Sequence, residues 1–134
     1  MKRILLFSIA CLCYIVGMAQ TTTDSYVEVL YFHGKQRCVT CKAIEKYTKE
    51  VVNTELTEWV KKGKVRFKEV DISTPDGEKL AKKYRVSWSS LYVNQWKNGK
   101  EIRNDLTRFS FENARSKTAT FKKGVKQKIM QLLK

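Results

Sequence analysis

The apolar positions from residue 26 onward alternate between the short period of strands and the longer period of helices. Residues 26–32 form an almost continuous apolar and β-branched run, broken only by Glu28, which predicts a strand buried on both faces. Apolar residues then recur at helical spacing until Gly63, which is a typical helix stop. These residues are Cys41, Ile44, Tyr47, Val51, Val52, Leu56, Trp59 and Val60. We therefore predict a buried strand followed by one long amphipathic helix.

A second strand and a shorter helix are predicted next. Residues 65–72 first alternate between apolar and basic positions and then turn apolar, as in a strand. Thr74 suits a helix N-cap, Pro75 suits the first helical position, and Asp76 suits the positive end of the helix dipole. This combination predicts a helix that ends near Tyr84.

The last third of the chain predicts a hairpin and a terminal helix. Residues 91–96 and 101–103 are predicted strands, joined at Asn98-Gly99, which is a strong hairpin signal. Residues 106–118 have no clear period and are predicted to pack as a loop or a helical turn. The final helix is predicted from apolar residues at helical spacing, namely Phe121, Val125, Ile129, Leu132 and Leu133.

This order of elements predicts an α/β domain over residues 20–134, built on a mixed four-stranded sheet with helices on both faces. We expect the first three strands to be parallel, because right-handed crossovers connect them. The tight hairpin then makes the fourth strand antiparallel to the third.

The first 19 residues are predicted to be a secretory signal peptide. Lys2 and Arg3 precede an apolar run at residues 4–16, which is too short to span a bilayer comfortably, and small residues precede Gln20. We therefore expect an extracytoplasmic protein with no stable membrane span after cleavage. An uncleaved membrane anchor is the alternative.

Removal of this segment changes the cysteine count. Cys11 and Cys13 leave with it, so the mature chain keeps Cys38 and Cys41 and a single histidine, His33. Two cysteines exclude a framework of several disulfides. They also argue against a zinc site complete within one chain, because two sulfurs and one imidazole do not make a full tetrahedral set.

The net charge is +14 for the whole chain, and +12 once Lys2 and Arg3 are removed. A charge of this size attracts acidic surfaces. The basic residues are dispersed over several predicted helices, which favours a solvated surface, and the expected export to the periplasm or beyond argues further against a nucleic-acid partner.

The candidate chemistry lies where the first strand gives way to the long helix. Cys38 and Cys41 are separated by two residues at the first helical turn, which puts Cys38 at the exposed helix N-terminus and Cys41 one turn deeper. Free backbone N–H groups and the helix dipole stabilise a thiolate at Cys38, and Lys35, Arg37 and Lys42 add positive charge nearby. We expect Cys38 to be the attacking sulfur.

A CxxC pair at a strand-to-helix junction in this order of elements resembles the thioredoxin family over nearly all of the mature chain. The resemblance implies a thioredoxin-like fold in which Cys38 forms a mixed disulfide with a substrate and Cys41 releases it. It implies protein thiol or disulfide substrates, a partner that recharges the pair, no cofactor and no metal. The substrate-facing loop would contain Trp88, Ser89 and Ser90. A monomer is expected.

The sequence departs from this family in three ways. The only proline is Pro75, and Ser90 occupies the place where the family carries a cis-proline, so we expect a trans peptide before Ser90. Arg37 replaces the family's tryptophan, and Val39-Thr40 replaces its Gly-Pro. Phe32 stands where a buried acid is often found, so Cys41 would need another base or solvent.

Three functions remain open from the sequence. The leading prediction is an extracytoplasmic thiol–disulfide oxidoreductase that uses Cys38 and Cys41. The second is a copper or zinc carrier that uses the same sulfurs with His33 or with a second chain. The third is a non-catalytic binding module with an inert disulfide. Trp88 is predicted to be either a substrate-loop aromatic or part of the core.

Overall fold

A computed structural model describes residues 24–134. The predicted signal peptide, with Cys11 and Cys13, and the first residues of the predicted domain, 20–23, lie outside the described residues. Within the described part of the chain, no helix combines the length and the apolar character needed to cross a bilayer.

Four strands form one mixed sheet in the order β2-β1-β3-β4, which confirms the predicted fold class. Their bounds are β1 Tyr26–His33, β2 Val65–Asp71, β3 Ser90–Lys97 and β4 Lys100–Ile102. The central strand β1 is buried on both faces, as its apolar run predicts. Val27, Val29 and Tyr31 belong to one core cluster, and Leu30 and Phe32 belong to a second cluster on the opposite face.

The predicted direction of β3 is wrong. β1 and β2 are parallel, but β3 runs antiparallel to β1, with Ser90 opposite Phe32. The connection from β2 to β3 therefore leaves and re-enters the sheet at the same end of the strands. The handedness rule for parallel crossovers does not apply to such a connection. Because β3 starts beside the end of β1, the loop before β3 lies at the same edge of the sheet as the cysteines.

Five α-helices cover the sheet on both faces. Their bounds are α1 Val39–Glu50, α2 Thr57–Lys61, α3 Pro75–Tyr84, α4 Thr107–Asn113 and α5 Thr118–Leu132. Helix α3 packs through Ala81 and Tyr84 onto the face formed by Leu30 and Phe32. The other face of β1 is covered mainly by α1 and α5, which contribute Ile44, Phe121, Val125 and Ile129 to the core.

The long helix predicted after the cysteines is interrupted. After α1, the chain continues as a π-helical turn over Val51–Glu55, and the helical conformation breaks at Leu56, with φ −118° and ψ 19°. The Thr54 hydroxyl donates to the carbonyl of Glu50, and the amide of Leu56 donates to the carbonyl of Val51. This turn keeps Val52 and Leu56 buried, and Trp59 packs against the core as predicted.

Local signals for α3 and for the hairpin are confirmed. The Thr74 hydroxyl oxygen accepts a hydrogen bond from the amide of Gly77, which caps α3. The helix ends at Arg85, whose φ of 57° is left-handed. Asn98 and Gly99 also have positive φ, 53° and 72°, which allows the tight turn between β3 and β4.

Helix α4 lies in the segment 106–118, where the apolar positions show no clear period. Its N-terminal residue contacts β3, because the Thr107 hydroxyl oxygen accepts a hydrogen bond from the amide of Leu91. Ser110 and Ala114, which follows one helical turn later, are fully buried, whereas Phe111 is partly exposed. The short helix is therefore fixed against the sheet and presents Phe111 at the surface.

Candidate redox site

The two cysteines are joined in a disulfide at the start of α1. Cys38 is the N-cap of this helix, and its Sγ accepts a hydrogen bond of 3.0 Å from the amide of Cys41. Cys38 is exposed, whereas Cys41 is 7% exposed. An incoming thiolate can therefore reach the outer sulfur more easily than the inner one.

The strand residue that reaches Cys41 is Tyr31 and not Phe32. The Tyr31 hydroxyl donates a hydrogen bond of 2.8 Å to the carbonyl of Cys41. Burial raises the pKa of this hydroxyl above its ordinary value of 10.0, so it stays protonated near neutral pH. Phe32 points to the opposite face, where it packs against Tyr84 and Tyr92. Tyr31 fixes the backbone under Cys41, and it is not placed to act as a base there.

The charged groups beside the disulfide form a chain of contacts that the sequence did not predict. Arg37 forms an ion pair with Glu45 of α1, and Lys49 bridges Glu45 to Glu69 of β2 at 2.9 Å each. Glu45 therefore offsets much of the positive charge that Arg37 was predicted to offer a thiolate at Cys38. Arg37 instead fixes the loop before Cys38 against α1.

The other two predicted thiolate-stabilising residues are placed differently. Lys35 and Lys42 are both exposed, and within the part of the chain that the structure describes neither forms an ion pair. They flank the cysteines in sequence. Within the described chain, therefore, no carboxylate offsets the charge of either side chain.

His33 is buried at the end of β1, with 6% exposure. Its Nδ1 lies 3.1 Å from the carbonyl oxygen of Gly34, and its Nε2 lies 3.1 Å from the Arg37 guanidinium. Both contacts are satisfied when Nδ1 carries the proton and Nε2 accepts from Arg37. His33 is therefore engaged in the loop structure. Among residues 24–134 no group of three or more histidine, cysteine or carboxylate side chains is placed to hold a metal ion.

The predicted substrate-facing loop lies against the cysteines. Trp88 is 72% exposed, which excludes its alternative interpretation as part of the core. Ser89 and Ser90 are buried, and the Ser90 hydroxyl donates to the carbonyl of Trp88. The peptide before Ser90 is trans, as expected. Ser87, which precedes Trp88, is also exposed, so Ser87 and Trp88 are the side chains of this segment available to a partner, and Trp88 is the large apolar one.

A groove of about 350 Å³ runs between this loop and the cysteines. We call it the disulfide groove, and its wall includes Gln36, Cys38, Cys41, Ile72, Trp88 and Phe111. Ile72 and Phe111 were not predicted from the sequence, since they lie more than thirty residues from the cysteines along the chain. A larger groove of about 520 Å³, lined by Leu106 and Phe109 among others, does not include the cysteines, so size alone would have indicated the wrong site.

Partial burial alone would raise the pKa of Glu45, but hydrogen bonds from Lys49 and Arg37 lower it from 4.5 to about 2. Because the folded-state pKa is the lower one, this carboxylate stabilises the fold above about pH 4.5, and the contribution is lost as the pH falls towards 2. We expect Glu45→Gln to lower the free energy of unfolding by about 1–2 kcal/mol at about pH 7. The difference in the free energy of unfolding between wild type and Glu45→Gln should shrink steadily below about pH 4.5.

Thermal unfolding over a range of pH measures this effect. Glu58→Gln is the control, because Glu58 is 75% exposed and lies 3.6 Å from Lys61 in a solvated pair, so its loss should change little. A Glu45→Gln difference that stays constant from neutral pH down to pH 2 would contradict the inferred network.

The comparisons with known proteins agree with this architecture. No protein-family model matches the sequence, and no curated protein matches it significantly. The solution structure of a thioredoxin from Thermus thermophilus matches with a TM-score of 0.52 and 20% identity, over 76% of this chain and 72% of that chain. A crystal structure of human ERp44 matches with a TM-score of 0.55 and 19% identity, over 78% of this chain but 24% of ERp44.

The protein therefore has a thioredoxin-like fold, which confirms the resemblance inferred from the sequence. The fold carries a CxxC disulfide at the N-terminus of the helix that follows its central strand. The described chain thus combines a thioredoxin-like fold with a CxxC disulfide at a helix N-terminus.

Proposed function

We propose that the protein is an extracytoplasmic thiol–disulfide oxidoreductase that acts on protein substrates through Cys38 and Cys41. One observation carries the proposal. The exposed sulfur of Cys38 is bonded to the buried sulfur of Cys41 at a helix N-terminus, and the Cys41 amide donates to it. An accessible sulfur that is a good leaving group and a good nucleophile is what disulfide exchange requires.

The exchange consists of two displacements. A substrate thiolate attacks Cys38 Sγ, the bond between the two cysteines breaks, and Cys41 leaves with the electron pair and takes up a proton. A second substrate thiolate then attacks the substrate sulfur of the mixed disulfide and releases Cys38 as a thiolate. The substrate is oxidised from two thiols to one disulfide, and the protein is reduced from one disulfide to two thiols. The same steps run backwards when the protein is the reductant.

The proposal predicts a lowered pKa for the reduced Cys38 thiol. The amide of Cys41 and the positive end of the twelve-residue helix α1 favour the thiolate, and Lys35 and Lys42 add positive charge. We expect the pKa of the Cys38 thiol to lie below the free value of about 8.5. The measurement is the pH dependence of alkylation of Cys38 in a Cys41→Ser variant.

Cys38→Ser provides the matched control, because its remaining thiol at Cys41 is buried and lies one turn inside the helix. That thiol should react slowly at all pH values where Cys38 reacts quickly. A Cys38 thiol that titrates at or above about 8.5 would count against the oxidoreductase and favour the non-catalytic module.

The extracytoplasmic location is supported by the basic start, the short apolar run and the small residues before Gln20. Outside the cytosol, the redox state of the pair would be set by a recharging partner rather than by the cytosolic thiol pool. Fusing residues 1–24 to a reporter enzyme that is active only after export tests the location. A Lys2→Glu, Arg3→Glu version of the fusion should lose the reporter signal.

The copper or zinc carrier is a distinguishable outcome. Within residues 24–134 the thiol donors are Cys38 and Cys41, and His33 is already held by Gly34 and Arg37. Two thiolates can hold Cu(I), but a four-coordinate Zn²⁺ site would need donors from a second chain. Stoichiometric binding of Cu(I) or Zn²⁺ to the reduced protein, combined with slow reaction with disulfides, would favour the carrier over the oxidoreductase.

A further inference from the structure

We propose that the disulfide groove selects short acidic segments of polypeptide in which an apolar side chain lies next to the reacting cysteine. In this arrangement the apolar side chain contacts Trp88 and Phe111, and flanking carboxylates lie near Lys35 and Lys42. The inference rests on the proposed function and names the substrates that it favours. It makes Phe111 a specificity-determining residue.

The first support is the position of the exposed apolar side chains. Trp88 is 72% exposed and Phe111 is 39% exposed, and both line the disulfide groove, although one comes from the loop before β3 and the other from α4. Val39, which follows Cys38 directly, is 64% exposed. Single exposed apolar residues scattered over a surface need no explanation, but a cluster around a reactive sulfur marks a contact surface.

The second support is the chemistry of the groove wall. None of the residues that line the disulfide groove is charged. Trp88 and Phe111 offer flat apolar ring faces. Aromatic side chains contribute much of the binding energy in protein contacts. At about 350 Å³, the groove is at the small end of the usual range of binding sites, about 300–1,000 Å³. It therefore fits a few side chains of one segment rather than the surface of a folded domain.

The third support is the charge around the groove. Lys35 lies between two groove residues, Gly34 and Gln36, and Lys42 follows Cys41. Both ammonium groups are exposed, and within the described chain neither is engaged by a carboxylate. Among residues 24–134, Lys35 and Lys42 are therefore unpaired positive charges next to groove residues in the sequence, and such charges complement acidic side chains.

The nearby carboxylates are already engaged. Asp71, which precedes Ile72, accepts hydrogen bonds from the amide and the hydroxyl of Ser73 at 2.9 and 2.6 Å. Glu112, which follows Phe111, pairs with Arg108 at 2.8 Å. Glu112 is therefore paired with a cation, whereas Asp71 is held by neutral donors and keeps its negative charge. The exposed cations next to the groove residues in sequence that no carboxylate pairs within the described chain are Lys35 and Lys42.

The experiment uses three synthetic peptides of equal length, each with one cysteine. The first has phenylalanine next to the cysteine and aspartates on both sides, the second has lysines instead of the aspartates, and the third has alanine instead of the phenylalanine. We measure the rate at which each peptide reduces the oxidised mature protein. This rate is divided by the rate at which the same peptide reduces a small uncharged disulfide. This division removes differences in the reactivity of the peptide thiols themselves.

For the wild-type protein, we expect the acidic peptide to react about threefold to tenfold faster than the basic one at low salt, with a smaller ratio at high salt. The acidic peptide should also react about twofold to tenfold faster than its alanine version. Lys35→Gln with Lys42→Gln should remove most of the charge preference. Phe111→Ala should remove most of the aromatic preference and leave the charge preference in place.

Matched controls come from the same chain. Lys79→Gln with Lys83→Gln removes two exposed lysines of α3, and Ile102→Ala removes an exposed apolar side chain of β4. Both controls should keep the wild-type ratios. Thermal unfolding of each variant shows whether α4 is disturbed. In a variant that is as stable as wild type, Phe111→Leu should retain part of the preference for the aromatic peptide, because leucine still offers an apolar contact.

Failure of the inference differs from failure of the proposed function. If dithiothreitol and all peptides reduce the protein rapidly but the three normalised peptide rates are equal, the selection is wrong and the oxidoreductase remains. If neither dithiothreitol nor any peptide reduces the disulfide faster than a linear peptide disulfide, the oxidoreductase itself is wrong, and the selection is refuted with it.

Discussion

Replacing Cys38 with serine is expected to abolish disulfide exchange, whereas replacing Cys41 with serine should leave a protein that becomes trapped on its substrates. In Cys38→Ser, the remaining sulfur is the buried one, which an incoming substrate cannot easily reach. In Cys41→Ser, the exposed sulfur remains, and the amide of residue 41 can still donate to it. It can attack a substrate disulfide, but no internal thiol is present to release the mixed disulfide.

The measurement is the amount of mixed disulfide after rapid acid quenching, detected by mass spectrometry on a cysteine-containing peptide disulfide. We expect stoichiometric adduct with Cys41→Ser and none above background with Cys38→Ser. Turnover of a reducible substrate should be lost in both variants. Because Cys41→Ser retains the nucleophile, only this variant should be consumed by one equivalent of substrate.

The two serine variants are natural controls for stability. Each lacks the same disulfide, and a loop of this small size contributes only about 2 kcal/mol in the chain-entropy model. The substitutions are not equivalent in other respects, because serine at 41 buries a hydroxyl and serine at 38 lies at the helix N-cap. The free energy of unfolding of each variant is therefore measured beside its adduct, so that a difference in folding is separated from a difference in reactivity. Adduct with Cys38→Ser and none with Cys41→Ser would reverse the assigned roles.

Local signals predicted much of the fold. The β1 run, the Thr74-Pro75 helix start and the Asn98-Gly99 turn are each determined by a few neighbouring residues, and the structure confirms all three. The direction of β3 could not be predicted in this way. An apolar pattern shows which faces of a strand are buried, but it does not show from which end the chain enters the sheet.

The interruption of the long helix is a second example. The residues from Cys41 to Val60 keep a helical period, but the Thr54 hydroxyl binds the carbonyl of Glu50, and a π-helical turn replaces regular α-helix. A serine or threonine hydroxyl can bind either solvent or the backbone, and the sequence does not show which.

The candidate site was predicted only in part. Cys38 and Cys41 could be identified because their spacing is local, and Trp88 through the resemblance. The ion pair of Arg37 with Glu45, the contact of Tyr31 with Cys41 and the position of Phe111 depend on how distant segments pack. In particular, the exact pairing of β1 decides that Tyr31 rather than Phe32 faces the cysteines, since neighbouring strand residues point to opposite faces.

Gly77→Ala is expected to destabilise the fold, although it adds only one methyl group. Gly77 lies in the first turn of α3, where the helix approaches the end of β2. A Cβ built on Gly77 would lie 1.8 Å from the carbonyl oxygen of Asp71 and 2.9 Å from the Thr74 hydroxyl oxygen. The first of these atoms belongs to the backbone, so it cannot move aside without shifting the end of β2.

Alanine favours a helix over glycine by about 1 kcal/mol, which opposes the loss. Overpacking against fixed atoms costs about 1–3 kcal/mol or more. Because the clash involves backbone and also threatens the Thr74 cap, we expect a net loss of about 2 kcal/mol in the free energy of unfolding. Chemical denaturation with urea measures it.

The same change should also affect the redox site, because Ile72 directly follows β2 and forms part of the disulfide groove. A shift of the segment after Asp71 would move Ile72, and the rate of exchange with the apolar acidic peptide should fall more than the rate with dithiothreitol. Gly34→Ala is the matched control for stability only, since a Cβ on Gly34 would meet no atom within 4 Å and its φ is not left-handed, although Gly34 itself lines the groove. The free energy of unfolding of Gly34→Ala should lie within about 1 kcal/mol of the wild-type value. If Gly77→Ala were as stable as Gly34→Ala, α3 could not approach β2 as closely as the structure has it, and the position of Ile72 in the groove would need to be revised.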